Sequence, residues 1–427
     1  MTAPDGVEQP AEPRSSATIL RALGPGLLLA ATGVGAGDLA TASIVGSLLG
    51  VSILWAVVTG ALLKFIVTEG LARWQLATGE SFLEGAVRRA GPIVVWIFLP
   101  YLLLWSFFVA AALMGACGVT LHAMFPIFDT AEAGKLVFGG LASVTGLVLV
   151  WRGGYRLFER MMKVCIGAMF LTVIVTAALL WPDTNVVVAG LILPRVPDVQ
   201  GALPWVLALM GGVGGTVTVL CYGYWLREEG RTSTADLPVC RIDLAAGYLM
   251  TAIFGIAMVI IGSTLAIEGQ SAGLLVALAD RLSVELGAAG GWLFLIGALG
   301  AVFSSLLGVW QAVPYLFADA WRMRAGAPGH AGQVGPVDTR SPAYRAYLLG
   351  LALIPMAGLV VSFREMQKLY ALTGLSFFPV LAAVLLVFNG RTAWVGRTSR
   401  NGVLANIGLA AVLLMFLWIA LAGISPS

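Results

Sequence analysis

Charge is what this chain has least of. Only 11% of its 427 residues are Asp, Glu, Lys or Arg, against about 25% in a water-soluble domain, so no soluble surface can be built from it. Histidine is nearly absent, with His122 and His330 alone. The four cysteines, Cys117, Cys165, Cys221 and Cys240, have no paired spacing. That excludes a disulfide framework or a cysteine metal knuckle and leaves them as small packing residues. A formal net charge of +3 gives no reason to expect a nucleic-acid partner. No nucleophile–base constellation, phosphate loop or cofactor motif occurs, so catalytic residues and cofactors are not expected and enzyme activity has no support. Residues 1–18 are polar and lack the basic and apolar regions of a signal peptide. They read as a disordered cytoplasmic tail ahead of a transmembrane domain at 19–427.

Apolar sequence is what the chain has in excess: 59% of residues are hydrophobic and the mean hydropathy is +0.93. A helical span needs about 20 apolar residues. Eleven such stretches fall near 22–49, 52–77, 92–124, 133–151, 157–181, 202–225, 241–266, 291–320, 344–362, 366–389 and 403–423, which predicts an all-α integral membrane protein. Basic residues test the count, because cytoplasmic loops are enriched in them. With the N-terminus inside, 19 of the 25 Lys and Arg fall in or next to inside segments, and Lys64 alone lies deep within a span. The expectation is an inner-membrane, multi-pass chain with a cytoplasmic N-terminus and an external C-terminus.

Two spans carry clustered glycines. Gly33, Gly35 and Gly37 precede Asp38 in the first; Gly211, Gly212, Gly214 and Gly215 centre the sixth; both contain Gly-Val-Gly, at 33–35 and 212–214. Each glycine costs a helix interior up to about 1 kcal/mol relative to alanine, so both stretches are expected to unwind. Backbone unwound at membrane depth must line a cavity or be buried in protein. Two Gly-interrupted spans five apart point to inverted repeats, 22–181 and 202–389, with 403–423 as an extra span, and to a secondary transporter. The competing reading of the same glycines is close helix packing.

At this point the residues resemble the Nramp family of proton-coupled divalent-metal transporters. The resemblance rests on Gly24-Pro25-Gly26 twelve residues before Leu39-Ala40-Thr41, on Ala72-Arg73 to Thr78-Gly79, on Gly154-Tyr155-Arg156-Leu157-Phe158-Glu159, on Gly215-Thr216-Val217 and on Pro379 with LAAVLLVFNG. It implies the fold shared with the bacterial leucine transporter, with broken helices 1 and 6. The departures matter as much. Where the family has Asp-Pro-Gly-Asn, this chain has Gly35, Ala36, Gly37 and Asp38. Where it has Met-Pro-His, this chain has Thr218, Val219 and Leu220. No Asp or Glu lies between Gly91 and Phe128, where the family carries acidic groups tied to proton transfer, and residues 346–362 hold no charge where the family's ninth span has an arginine. The resemblance thus implies a divergent branch without the usual transition-metal ligands.

The expected substrate or ion site comprises Asp38 with the backbone of Gly33 and Gly35 and the hydroxyls of Thr216, Thr218 and Ser304. Asp38 is the one metal-ligand candidate, suited to a hard cation such as magnesium, which uses one or two carboxylates and keeps several waters. Its alternative role is an N-cap within its own span. Lys64, Glu69 and Arg73 in the second span form either a coupling group or an interior gate, with Asp319 a partner for Lys64 or Arg73. Cys221 is a weak ligand candidate, and Trp105, Tyr222, Tyr224 and Phe377 are aromatics able to line a solute cavity. His122 and His330 read as surface residues. Three functions remain open: a hard-cation carrier, a proton- or sodium-coupled carrier of a small organic solute, and a non-transporting sensor or scaffold.

Overall fold

The computed structural model describes residues 24–264, 274–324 and 338–424; the expected tail at 1–18 and His330 lie outside them. Among the described residues all regular structure is helical. Eleven spans follow in order. The first runs through Pro25–Gly33, Val34–Thr41 and Ala42–Leu49, and the second is Leu54–Thr78. By apolar length the two merge into one stretch, Gly37–Thr78, but the chain turns between them at Gly50, whose φ of +67° is left-handed backbone that glycine takes without steric cost. The third is Ile93–Met124, the fourth Ala131–Gly153, the fifth Leu157–Leu179, the sixth Ala202–Glu228 and the eighth Ala288–Met323, with Leu237–Ser263 between the last two as the seventh. The ninth is Pro342–Val360, the tenth Phe363–Phe388 and the eleventh Val403–Ile424.

The fourth and fifth spans belong to one helical run, Ala131–Leu179. Laid straight, it would measure about 73 Å, more than twice the hydrocarbon thickness of about 30 Å. Yet Gly146 packs on Leu306 and Trp310, while Gly300 and Gly297 meet Cys165 and Thr172. Both halves therefore lie along the same stretch of the eighth span, and the chain bends back between them. The tenth span is interrupted where Phe363–Leu375 gives way to Phe378–Phe388. Pro379 sits in the first turn of the second piece, where its missing N–H breaks no helical bond.

Large apolar side chains such as Leu62, Ile97, Leu103, Leu171 and Leu249 point outward, as lipid-facing residues should. The interior is made by close backbone contact. A Cβ at Gly46 would meet the Val259 carbonyl, and one at Gly262 the Ser43 carbonyl, so the first and seventh spans touch main chain to main chain. In lipid, where apolar burial does not drive helices together, such contacts supply the packing energy.

Candidate functional site

The centre of the first span is not unwound, as expected, but widened. Val34–Thr41 is an eight-residue π-helical segment between two α-helical pieces. Its cause is a side chain from the eighth span. In an α-helix the Gly35 N–H would donate to the Ala31 carbonyl; instead it donates to Ser305 Oγ at 2.7 Å, and Ser305 Oγ donates to Ala31 O at 2.8 Å. The hydroxyl is inserted into the helical ladder, one of the few physical causes of such a distortion. Gly35 permits the insertion, because a Cβ there would overlap Ser305. Gly33 and Gly37 act differently: a Cβ on the first would strike the backbone of Gly214 and Gly215, and on the second the Gly212 carbonyl. These three glycines let the first span lie directly against the sixth and eighth.

The sixth span is truly broken. Its first half-helix, Ala202–Gly212, ends at Val213, and helix resumes only as a 3₁₀ turn at Val217–Cys221. Gly214 and Gly215 have φ of +71° and +83°, so the break requires glycine at both positions. The carbonyls released there are taken by Lys64. Its Nζ donates to Gly211 O at 2.6 Å and also to Val213 O and Gly215 O. An ammonium has three donors, and all three are used by main chain. These acceptors lie at and just past the C-terminus of a half-helix, where the helix dipole favours a cation. Asp38 binds the other face of the same break: Gly214 N–H donates to Asp38 Oδ2 at 3.1 Å. The Val213–Gly214 peptide thus has its carbonyl on a lysine and its N–H on a carboxylate. Asp38 is 0% and Lys64 2% exposed, so both charged groups are buried. Asp38 Oδ1 and Thr218 Oγ1 are buried without a hydrogen-bond partner among the described residues.

The sequence model of the Nramp family, described as natural resistance-associated macrophage protein-like, matches residues 26–425. The chain belongs to the Nramp family. No curated protein sequence matches it. Among solved structures it resembles an Eremococcus coleocola manganese transporter carrying a histidine-to-alanine substitution, with TM-score 0.74 and 16% identity over 99% of this chain and 91% of that one. The same transporter with an aromatic bis-isothiourea compound aligns at TM-score 0.69 and 18% identity, over 97% and 91%. MhsT in complex with L-phenylalanine aligns at 0.60 and 16%, over 91% and 95%. At these identities the likeness is one of fold: a multi-pass membrane transporter scaffold of the leucine-transporter type.

Within this Nramp scaffold the expected site residues divide. Asp38 and the glycines of both spans meet, but Asp38 reaches across to the sixth span and is no N-cap of its own. Thr216 is engaged, accepting from Trp105 Nε1 at 2.8 Å. Ser304 bonds back to Ala301 O at 2.9 Å and touches Ala31 O only at 3.4 Å; its neighbour Ser305 carries the contact with the first span. Glu69 is bound by Arg73 at 3.0 Å and by Arg241 through Nε at 2.9 Å and Nη2 at 2.8 Å, so it belongs to an ionic cluster separate from Lys64. Asp319 pairs with neither Lys64 nor Arg73; it accepts from Tyr224 OH at 2.7 Å and pairs with Arg322 at 3.4 Å. Its span carries it to the level of the sixth span's second half-helix. Tyr222 OH donates to Asp243, and Phe377 stacks on Tyr101 with centroids 5.1 Å apart. Cys221 is buried and free. His122 is no surface residue: it is 7% exposed and packs on Gly134, because the third and fourth spans close over it.

Two contacts that shape the first span escaped the sequence reading. One is Ser305, which no periodicity distinguishes from Ser304. The other is Asp243, buried in the seventh span, which accepts from Gly24 N at 3.0 Å and Gly26 N at 2.8 Å and so caps the start of the first span. A carboxylate inside a predicted span was the available signal. Among the described residues no group of three or more His, Cys, Asp or Glu could hold a metal ion.

Proposed function

We propose that this Nramp-family protein is a secondary active transporter whose central cation position is held by its own Lys64, and whose cargo is a small organic solute, not a transition metal. The observation that carries the reading is the ammonium on the carbonyls of Gly211, Val213 and Gly215, beside Asp38 at the break. A fixed positive charge there opposes a divalent ion by Coulomb repulsion, which a buried, weakly screened setting strengthens. The thioether and imidazole of the family's sixth-span motif, ligands that help a site distinguish a transition metal from magnesium, are Thr218 and Leu220 in this chain. Proton or sodium coupling enters through the same pair: Asp38 and Lys64 are the groups whose charge would change as the break opens, while the Glu69–Arg73–Arg241 cluster serves as a gate. The reading takes 22–181 and 202–389 as inverted repeats moving against each other, with 403–423 added and the Arg-rich face cytoplasmic.

A second reading has one observation in its favour. Asp38 Oδ1 and Thr218 Oγ1 are unpaired oxygens, the chemistry of a hard cation such as magnesium, provided Lys64 withdraws. Proteoliposomes holding the full chain separate the two. Flux of Mn²⁺ and Mg²⁺ is measured beside a thermal-stability screen of amino acids, amines and nucleobases. The solute reading expects no saturable divalent flux and at least one stabilising compound whose effect disappears in Asp38→Asn. Saturable Mg²⁺ uptake abolished by Asp38→Asn would install the second reading, and saturable Mn²⁺ uptake at micromolar concentration would overturn both.

A further inference from the structure

Where the fourth span ends and the ninth begins, a cavity of about 170 Å³ is lined by residues that include Arg152, Arg340 and Arg345. None of the three makes an ion pair with a carboxylate among the described residues. Two carboxylates stand close by without pairing with them: Asp338 accepts from the Arg340 backbone N–H at 2.8 Å, and Glu228 accepts at 3.4 Å from the hydroxyl of Tyr315, a residue of the lining. Arg345 lies over the ring of Trp151, another lining residue, at 5.0 Å, a cation–π contact that fixes its guanidinium. Tyr344 also lines it, but its hydroxyl is donated to Gln311 O at 2.9 Å, and Gln311 Nε2 donates to Tyr315 OH at 2.7 Å, which leaves the guanidiniums and Thr339 among the remaining donors of the lining. Three arginines lining one cavity supply the planar donors that match phosphate oxygens. The remaining wall includes Val150 and Leu348, apolar residues of spans that continue into the bilayer. The site lies on the face that carries most of the chain's arginines, where a membrane's anionic leaflet attracts basic residues.

We propose that this cavity binds the phosphate of an anionic phospholipid headgroup, with an acyl chain running along the apolar wall between the fourth and ninth spans. Phosphate is the recognised chemistry, and the apolar wall favours a lipid over a free ion. The proposal is independent of what crosses the central site.

The test uses the full chain purified in a neutral detergent and titrated with fluorescent phosphatidylglycerol, with phosphatidylcholine and inorganic phosphate as competitors. Saturable phosphatidylglycerol binding is expected, displaced poorly by either competitor. At the usual contribution of a basic residue near an anionic surface, Arg152→Gln and Arg345→Gln each weaken binding roughly fivefold and together about 25-fold. Arg152→Lys, which keeps the charge, should recover part of the loss, and Arg397→Gln, outside the cavity, should change nothing. Undiminished binding in the double variant overturns the site. Equal competition by inorganic phosphate overturns the lipid as its source, and equal competition by phosphatidylcholine overturns the requirement for net negative charge.

Discussion

Replacing Lys64 with methionine keeps the length and much of the apolar stem of the side chain while deleting the ammonium. Three carbonyls at the break, those of Gly211, Val213 and Gly215, then lose their donor at once, and Asp38 loses the balancing charge across the Val213–Gly214 peptide. A hydrogen bond involving a charged group contributes about 1.5–3 kcal/mol, and removing one partner of a buried charged pair typically costs about 3–5 kcal/mol. Water entering the break would satisfy part of the lost bonding, so about 4 kcal/mol is expected, roughly three decades in the folded-to-unfolded ratio. Denaturation in mixed micelles, followed by tryptophan fluorescence, measures it. Because the two groups bind opposite ends of one peptide, Lys64→Met and Asp38→Asn should be strongly non-additive, with the double variant less than the sum of the singles. A small cation should also restore stability to Lys64→Ala: ammonium or sodium at a hundred times its dissociation constant returns about 2.7 kcal/mol. If Lys64→Met lies within about 1 kcal/mol of the parent, or if the two substitutions simply add, the lysine is not what holds the break and the reasoning fails.

Other expectations follow from the same contacts. Ser305→Ala should cost about 1–3 kcal/mol by removing the hydroxyl between Ala31 and Gly35, whereas Ser304→Ala should cost clearly less, because its hydroxyl mainly bonds its own preceding turn at Ala301; amide exchange at Gly35 would report any return to ordinary helix, and equal effects of the two substitutions would contradict the assignment. Asp243→Ala should destabilise by about 1–2 kcal/mol or more through loss of the cap on Gly24 and Gly26, with exchange rising first at residues 24–28. Gly37→Ala should abolish transport of any cargo identified and lower thermal stability, since its Cβ meets the Gly212 carbonyl; an active, stable variant would show that the two spans do not touch there.

Much of the architecture was readable from residue order. Long apolar stretches separated by arginine-bearing loops require a bundle of membrane helices, because backbone in lipid must satisfy its own hydrogen bonds. Asp38 and Lys64 stood out for the same reason, as charges in places where charge is expensive. What they bind was not readable: Lys64 is 147 positions from the first carbonyl it caps, and Asp38 is 176 from its donor. Asp319 and His122 were misplaced because span ends give no sign of which neighbour closes over them.

The two Gly-Val-Gly tripeptides mark the boundary. Composition determined that both stretches are free to leave the α-helix, since glycine weakens helix wherever it occurs. Only the tertiary structure decided how each leaves it. At 33–35 the backbone stays helical, with φ of −79° at Gly33, because a single hydroxyl from Ser305 enters the ladder and widens it. At 212–214 the backbone opens, because an ammonium and a carboxylate from two other spans take up the peptide groups that the helix would otherwise have bonded to itself.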